Sequence, residues 1–167
     1  IESEKNYVDG MGHGKLLNWY ENGQLSAEVD FKDDEWHGKA LNWHSNGQIS
    51  SEKNFKDGEF DGESIEWYEN GQLKASPIYY QDGEILLEDG KFIFWYKNGR
   101  KKSEGVISNN MSNGKQIQWH ENGRIKSVGI YKDDKKEGNW TNWNENGQLK
   151  NSQIWKNHKC ISGDCPK

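Results

Sequence analysis

The stretch WYENGQL, Trp19 to Leu25, returns as WHSNGQI, WYENGQL, WYKNGRK, WHENGRI and WNENGQL, so that Trp19, Trp43, Trp67, Trp95, Trp119 and Trp143 lie 24, 24, 28, 24 and 24 positions apart. A fixed period of this size restricts a chain to repeat architecture, in which each unit buries its apolar side chains only against its neighbours. Five residues before each Trp stands a Gly: Gly14, Gly38, Gly62, Gly90, Gly114 and Gly138. From it runs a strand such as GKLLNWY, then the turn, a second strand such as QLSAEVDF, and a polar connection such as KDDEWH. Pro is almost absent and no stretch carries a 3.6-residue apolar period, so each unit reads as a β-hairpin and the series as a meander. The predicted fold is all-β, an elongated antiparallel β-meander of about six 24-residue hairpin repeats. It occupies residues 1–159, with a partial unit at 1–13 and residues 160–167 as a C-terminal cap or tail. About thirteen strands at roughly 4.8 Å spacing give a length on the order of 60 Å, with open edge strands at both ends.

Asn-Gly between strands usually marks a two-residue turn. Here the alternation selects a three-residue loop, Glu21-Asn22-Gly23, closed by a left-handed Gly; Gly23, Gly47, Gly71, Gly99, Gly123 and Gly147 all hold that position. Trp19 then faces Leu25, and Leu17, Ala27, Val29 and Phe31 join them. Leu16, Asn18, Tyr20, Gln24, Ser26, Glu28 and Asp30 take the other face. In this register the six Trp form a ladder of core residues. An exposed aromatic strip that stacks sugars is the alternative, and it would be expected on the polar face.

Only 31% of the residues are hydrophobic, but nine Trp and seven Tyr concentrate apolar surface in large side chains, which supports a folded, very polar protein. Acidic and basic residues, 27 against 22, read as interspersed, with none of the basic stripe that neutralises phosphates, so nucleic acid is not an expected partner. No run of 18 apolar residues predicts a transmembrane helix. Cys160 and Cys165, in CISGDCPK, fit either a small disulfide loop in an oxidising compartment or two thiols in the cytosol. With Ile1 as first residue they favour an extracytoplasmic, secreted or surface location, the cytoplasm being the alternative. The five His are scattered without metal-ligand spacing, and His44 and His120 read as Tyr substitutes on the solvent face. Asp33-Asp34, Asp57, Asp82 and Asp133-Asp134 read as turn formers in preference to calcium ligands. No phosphate loop or nucleophile elbow occurs, and neither enzyme activity, nor metal, nor cofactor is predicted.

The pattern G-x-x-x-x-W-Y-x-N-G-Q-L, followed by a small residue and an aromatic-Lys-Asp/Gly turn, resembles the MORN repeat family, and more closely its bacterial MORN-variant repeat, over roughly residues 1–159. The resemblance implies hairpin arrays that act as protein- or lipid-contacting scaffolds. Some bacterial members are regarded as antitoxin or immunity partners, and others occur in exported surface proteins. It carries no catalytic residues. The departures are Lys101, in place of the Leu or Ile after the turn, and His44, His120 and Asn144 in place of Tyr.

One region breaks the pattern. The stretch SPIYYQDGEILLEDG, 76–90, carries four extra residues, and the unit after it reads GKFIFWYKNGRKK. Phe92, Phe94 and Tyr96 on its normally polar face, with Arg100, Lys101, Lys102 and the nearby Tyr80, form a candidate partner-binding patch, since interfaces favour aromatics beside Arg. The competing reading folds Ile85-Leu86-Leu87 over the two Phe as a local plug. The sequence therefore predicts a non-enzymatic protein-binding or scaffold repeat protein. Its alternatives are a self-assembling extracellular β-rod joined through open edge strands, an immunity or antitoxin partner of a toxin, and, less favoured, a carbohydrate binder.

Overall fold

The computed structural model describes residues 3–86 and 89–166. The chain divides into two units, 1–86 and 87–167, and the division falls inside the stretch with the four extra residues.

The first unit holds β1 (Ser3–Val8), β2 (Met11–Trp19), β3 (Leu25–Lys32), β4 (Glu35–Trp43), β5 (Ile49–Lys56), β6 (Glu59–Phe60), β7 (Gly62–Glu66), β8 (Ile78–Gln81) and β9 (Glu84–Leu86). They pair antiparallel in the order β1-β2-β3-β4-β5-β7-β8-β9, with β6 also on β5. The second unit holds β10 (Gly90–Trp95), β11 (Lys101–Ser108), β12 (Met111–Ser112), β13 (Gly114–Trp119), β14 (Ile125–Lys132), β15 (Lys135–Trp143), β16 (Leu149–Lys156) and β17 (Lys159–Gly163). Their order is β10-β11-β13-β14-β15-β16-β17, with β12 also on β11. The meander of hairpins is as the periodicity predicts. After the third turn the pairing is reduced to a Trp67↔Leu73 bridge, a Lys74 N–H to Glu66 O bond at 2.9 Å and a bridge at Ala75 before β8 starts, just past Pro77, whose nitrogen has no hydrogen to donate to a ladder.

The two ends of the hairpins differ. At the Asn-Gly end, Tyr20 N donates to Gln24 O at 2.8 Å and Gly23 N to Tyr20 O at 2.9 Å, with Gly23 at φ +80°, the predicted three-residue loop. At the other end stand two-residue turns with both residues left-handed, as at Asp33 and Asp34 (φ 53° and 68°) or Asn109 and Asn110 (53° and 57°). The expected polar connection is therefore strand: β4 begins at Glu35, and Gly38 lies within it at φ +87°, facing Asp30.

The register corrects the predicted faces. Trp19 pairs with Leu25, as expected, but Asn18 pairs with Ala27, which leaves Ser26 as an extra residue. The same bulge follows Trp43, Trp95, Trp119 and Trp143. One inserted residue transposes every side chain beyond it. Ala27, Val29 and Phe31 cross to lie opposite Asn18, Leu16 and Gly14, while Glu28 and Asp30 share the face of Leu17 and Lys15. On that second face Lys15 pairs with Glu28, and Lys39 with Glu52 at 2.5 Å; the hydrogen bonds to these glutamates hold both lysines above the usual lysine range.

The six repeat tryptophans are half-buried, and none of them is among the buried core residues. The first unit's core is Val29, Ala40 and Phe55, backed by Phe31 and Phe60. Across it runs a file of rings, Phe31, Trp36, Phe55, Phe60 and Tyr80, with successive centroids 6.4, 4.7, 4.6 and 5.0 Å apart. The second unit fills the same row differently. Trp140, 4% exposed, lies over Gly129 where Ala40 lies beside Val29 in the first unit. Lys136 stands where Trp36 does, its Nζ 4.5 Å from the Trp140 ring centroid and 4.6 Å from that of Trp155, a cation held between two π faces. Burial, then the Asp134 carboxylate, raise the pKa of the adjoining Tyr131 hydroxyl.

A Cβ on Gly129 would collide with the Trp140 indole. Gly129→Ala is thus expected to cost about 2 kcal/mol or more through overpacking. Gly129→Ala/Trp140→Ala should cost less than the sum of its two single changes, as urea unfolding of the four proteins would measure.

Candidate binding surface at the turn edge

In four of the repeats the residue after the Trp, Tyr20, His44, Tyr96 or His120, ties its turn to the next. Tyr20 Oη donates to Trp43 O at 2.6 Å and Tyr96 Oη to Trp119 O at 2.7 Å. His44 Nε2 lies 3.1 Å from Trp67 O and His120 Nε2 3.0 Å from Trp143 O. A carbonyl only accepts, so Nε2 carries the hydrogen and each imidazole does the work of the phenol it replaces. These two His are ladder residues and not substitutes on a free solvent face. Beside them the turn Asn residues repeat the link: Asn22, Asn46, Asn98 and Asn122 donate to the carbonyls of Ser45, Glu69, Glu121 and Glu145. Each also accepts, through Oδ1, the backbone N–H two residues on. Asn144 instead closes on its own turn, accepting from Asn146 N and Gln148 N.

A second set of links joins the two-residue turns. Asp34 Oδ1 accepts from Gly12 N and Asp134 Oδ1 from Ser112 N, both at 2.7 Å. Asp34 and Asp134 thus bind backbone, as turn formers do, while Asp33 and Asp57 lie 3.8 Å from His13 Nδ1 and 3.3 Å from His37 Nδ1.

The structure distributes the predicted patch over several roles. Tyr80 ends the ring file of the first unit. Tyr96 belongs to the ladder, and Arg100 reaches Glu121 O in the next turn at 3.4 Å. Phe92 is half-buried over Gly105, where a Cβ would come within 2.6 Å of its ring. Ile85 and Leu86, assigned to the plug, are 50% and 44% exposed; Leu87 lies outside the described residues. Lys101 pairs with Glu104 at 2.5 Å and lies over Trp119, 5.8 Å from the ring centroid. Phe94 (41% exposed), Arg100, Lys101 and Lys102 face outward, and of the three cations Lys102 bonds to no described residue.

Lys102 has counterparts that patch-reading did not single out. It is the extra residue of its hairpin, and the next two bulges hold Lys126 and Lys150. All three are exposed and make no hydrogen bond or ion pair with a described residue. In the first unit the same positions are Ser26, Ser50 and Lys74, and Lys74 is engaged with Glu66 at 3.2 Å. The bulge lysines stand beside a polar cross-strand row, Phe94, Ser103, Gln118, Ser127, Asn142 and Asn151. Lys126 and Lys150 line one shallow groove with His120, Asn142 and Asn151; the equivalent groove of the first unit, beside Tyr20, is lined by Ser26 and Ser45. Spacing alone carried this signal, because 102, 126 and 150 are 24 apart.

Division into units also corrects the reading of charge. Residues 1–86 carry 18 acidic and 7 basic side chains, net −11, and residues 87–167 carry 9 and 15, net +6. The whole-chain balance conceals two units of opposite sign.

At the C-terminal side, Cys160 and Cys165 are disulfide-bonded, their Cα atoms 5.7 Å apart, and Cys160 lies in β17. The closed loop holds Asp164 against β16: Asp164 N donates to Ser152 O at 2.9 Å, Asp164 Oδ2 accepts from Ser152 N at 3.1 Å, and Asp164 O from Gln153 Nε2 at 2.7 Å. Among the described residues no group of three or more His, Cys, Asp or Glu is placed to hold a metal ion.

A family model described as MORN repeat variant matches residues 12–33, 36–57, 60–76, 112–133 and 136–157. Its matches pass over the fourth copy, where Phe92, Phe94, Lys101 and Lys102 stand. No curated protein matches the chain.

Replacing His120 by Tyr keeps a donor for Trp143 O and is expected to leave stability within about 0.5 kcal/mol. Replacing His120 or Tyr20 by Phe removes the donor and should cost about 1 kcal/mol each. Chemical unfolding of the three variants checks both expectations.

Proposed function

From the premise that this chain belongs to the MORN repeat variant family, whose matched segments cover more than half of it, we propose a non-enzymatic protein-binding scaffold that uses the turn edge of the second unit. Repeats of this family are commonly non-enzymatic and contact proteins or membranes. The observation that carries the reading is the bulge series Lys102, Lys126 and Lys150, exposed, unpaired and equally spaced along one polar row that ends at the exposed Phe94.

The bulk of the chain's polar groups serve folding. Tyr20, His44, Tyr96 and His120, the turn residues Asn22, Asn46, Asn98 and Asn122, and the turn residues Asp34 and Asp134 each hold a neighbouring strand or turn, whereas the bulge lysines bond to no described residue. A charged group that a fold does not use, placed next to an exposed aromatic, is the composition of an interface rim beside an anchor. Acidic partner surfaces fit this strip by charge. An oxidising location fits the Cys160–Cys165 bond, and among the described residues no helix is long and apolar enough to cross a membrane.

The triple variant K102E/K126E/K150E reverses the strip's charge without breaking a hydrogen bond or ion pair of a described residue. It is expected to melt within a few degrees of the natural protein while losing the proteins that the natural protein captures from its source lysate. Capture of the same proteins by both would overturn the assignment.

A further inference from the structure

We infer that the acidic surface recognised by this strip includes one on a second copy of the same chain: the two-residue-turn edge of its first unit. The inference rests on reading the lysine strip as a binding surface, and it names the partner by charge and by period.

The first unit's two-residue turns after β3, β5 and β8 read KDDE, KDGE and QDGE, residues 32–35, 56–59 and 81–84. They carry seven carboxylates against two lysines. The corresponding turns of the second unit, SNNM, KDDK and KNHK, carry two carboxylates and four lysines. Glu35, Glu59 and Glu84 are exposed, each opens the strand after its turn, and each is one hairpin from the next. Lys102, Lys126 and Lys150 are likewise one hairpin apart.

One hairpin advances a sheet by two strand spacings, about 9.6 Å. Both series inherit that step from the same repeat, so a lysine strip and a glutamate strip from two copies can lie in register over three hairpins. A partner of unrelated fold has no reason to present carboxylates at this interval. Single exposed pairs contribute little, about 0–1 kcal/mol each, so it is the repetition in register that supplies recognition. The contact joins two different surfaces of the chain, so it is heterologous. Surface pairs of this kind are screened by salt, with a Debye length of about 10 Å at 0.1 M.

Sedimentation velocity of the natural protein over a range of concentrations, in about 0.02 M and about 0.5 M salt, reads the association and its screening. Species larger than the monomer are expected at low salt and dissociation at high salt. K102E/K126E/K150E and E35K/E59K/E84K should each remain monomeric when alone. Lys opposite Lys at these turns is tolerated, since the second unit pairs Lys132 with Lys135 and Lys156 with Lys159. Mixing the two variants restores opposite charges across the contact, and association should return. If either triple variant loses its cooperative melting transition, the single pair K126E and E59K carries the same expectation of loss and rescue. A monomeric natural protein at low salt overturns the inference, even where K102E/K126E/K150E still loses captured proteins and the strip remains a binding surface. Association that the mixture fails to restore overturns it as well.

Discussion

The extra residue that follows each Asn-Gly turn is the constraint on which the arrangement of side chains depends. Trp and its aliphatic partner face each other across the loop, and one residue later the strand steps out of phase. A strand has two faces, so a single step decides that Val29, Phe31 and Phe55 meet Leu16 and Ala40, and that Glu28 and Glu52 meet Lys15 and Lys39. The same step creates a position with no cross-strand partner in its own hairpin. In the first unit Ser26 and Ser50 occupy it, and in the second Lys102, Lys126 and Lys150.

A thin core is tolerable because the hairpins are fastened at both ends. Tyr or His to a Trp carbonyl and Asn to a turn carbonyl form one series of links; aspartate to backbone N–H forms the other. Such bonds contribute about 0.5–1.5 kcal/mol each, yet they recur with the repeat and fix register as well as stability. Inside that frame the two units fill equivalent rows by different means. Small beside medium, Ala40 and Val29, becomes large beside nothing, Trp140 and Gly129; an aromatic in a ring file, Trp36, becomes a cation between rings, Lys136.

The period, the hairpins and the three-residue loop were legible because each is written in residues that recur at fixed spacing, with Gly23 and its five counterparts marking the left-handed position. The bulge was not legible. Ser26 or Lys126 has nothing in its chemistry that demands an unpaired position, and a face assignment by alternation fails wherever one residue is skipped. Alternation alone therefore puts Leu16 on the polar face and Val29 with Trp19, whereas in the register Leu16 and Val29 lie opposite each other. The candidate patch suffered from the same inversion: Phe92 and Tyr96 looked unemployed only because Gly105 and the carbonyl of Trp119 lay across a register that sequence alternation did not supply. Charge was misread for another reason, since the net of the whole chain averages over two units whose boundary, in the stretch 76–90, was visible only as four extra residues.

Interstrand nuclear Overhauser effects across β13 and β14 test the bulge directly. The register described here predicts contacts between the backbones of Gln118 and Ser127 and of Ile117 and Val128. Contacts between Gln118 and Lys126 and between Ile117 and Ser127 would mean an uninterrupted ladder. In that case Val128 and Gly129 would exchange faces, Lys126 would be an ordinary paired residue, and the lysine strip would lose its structural basis.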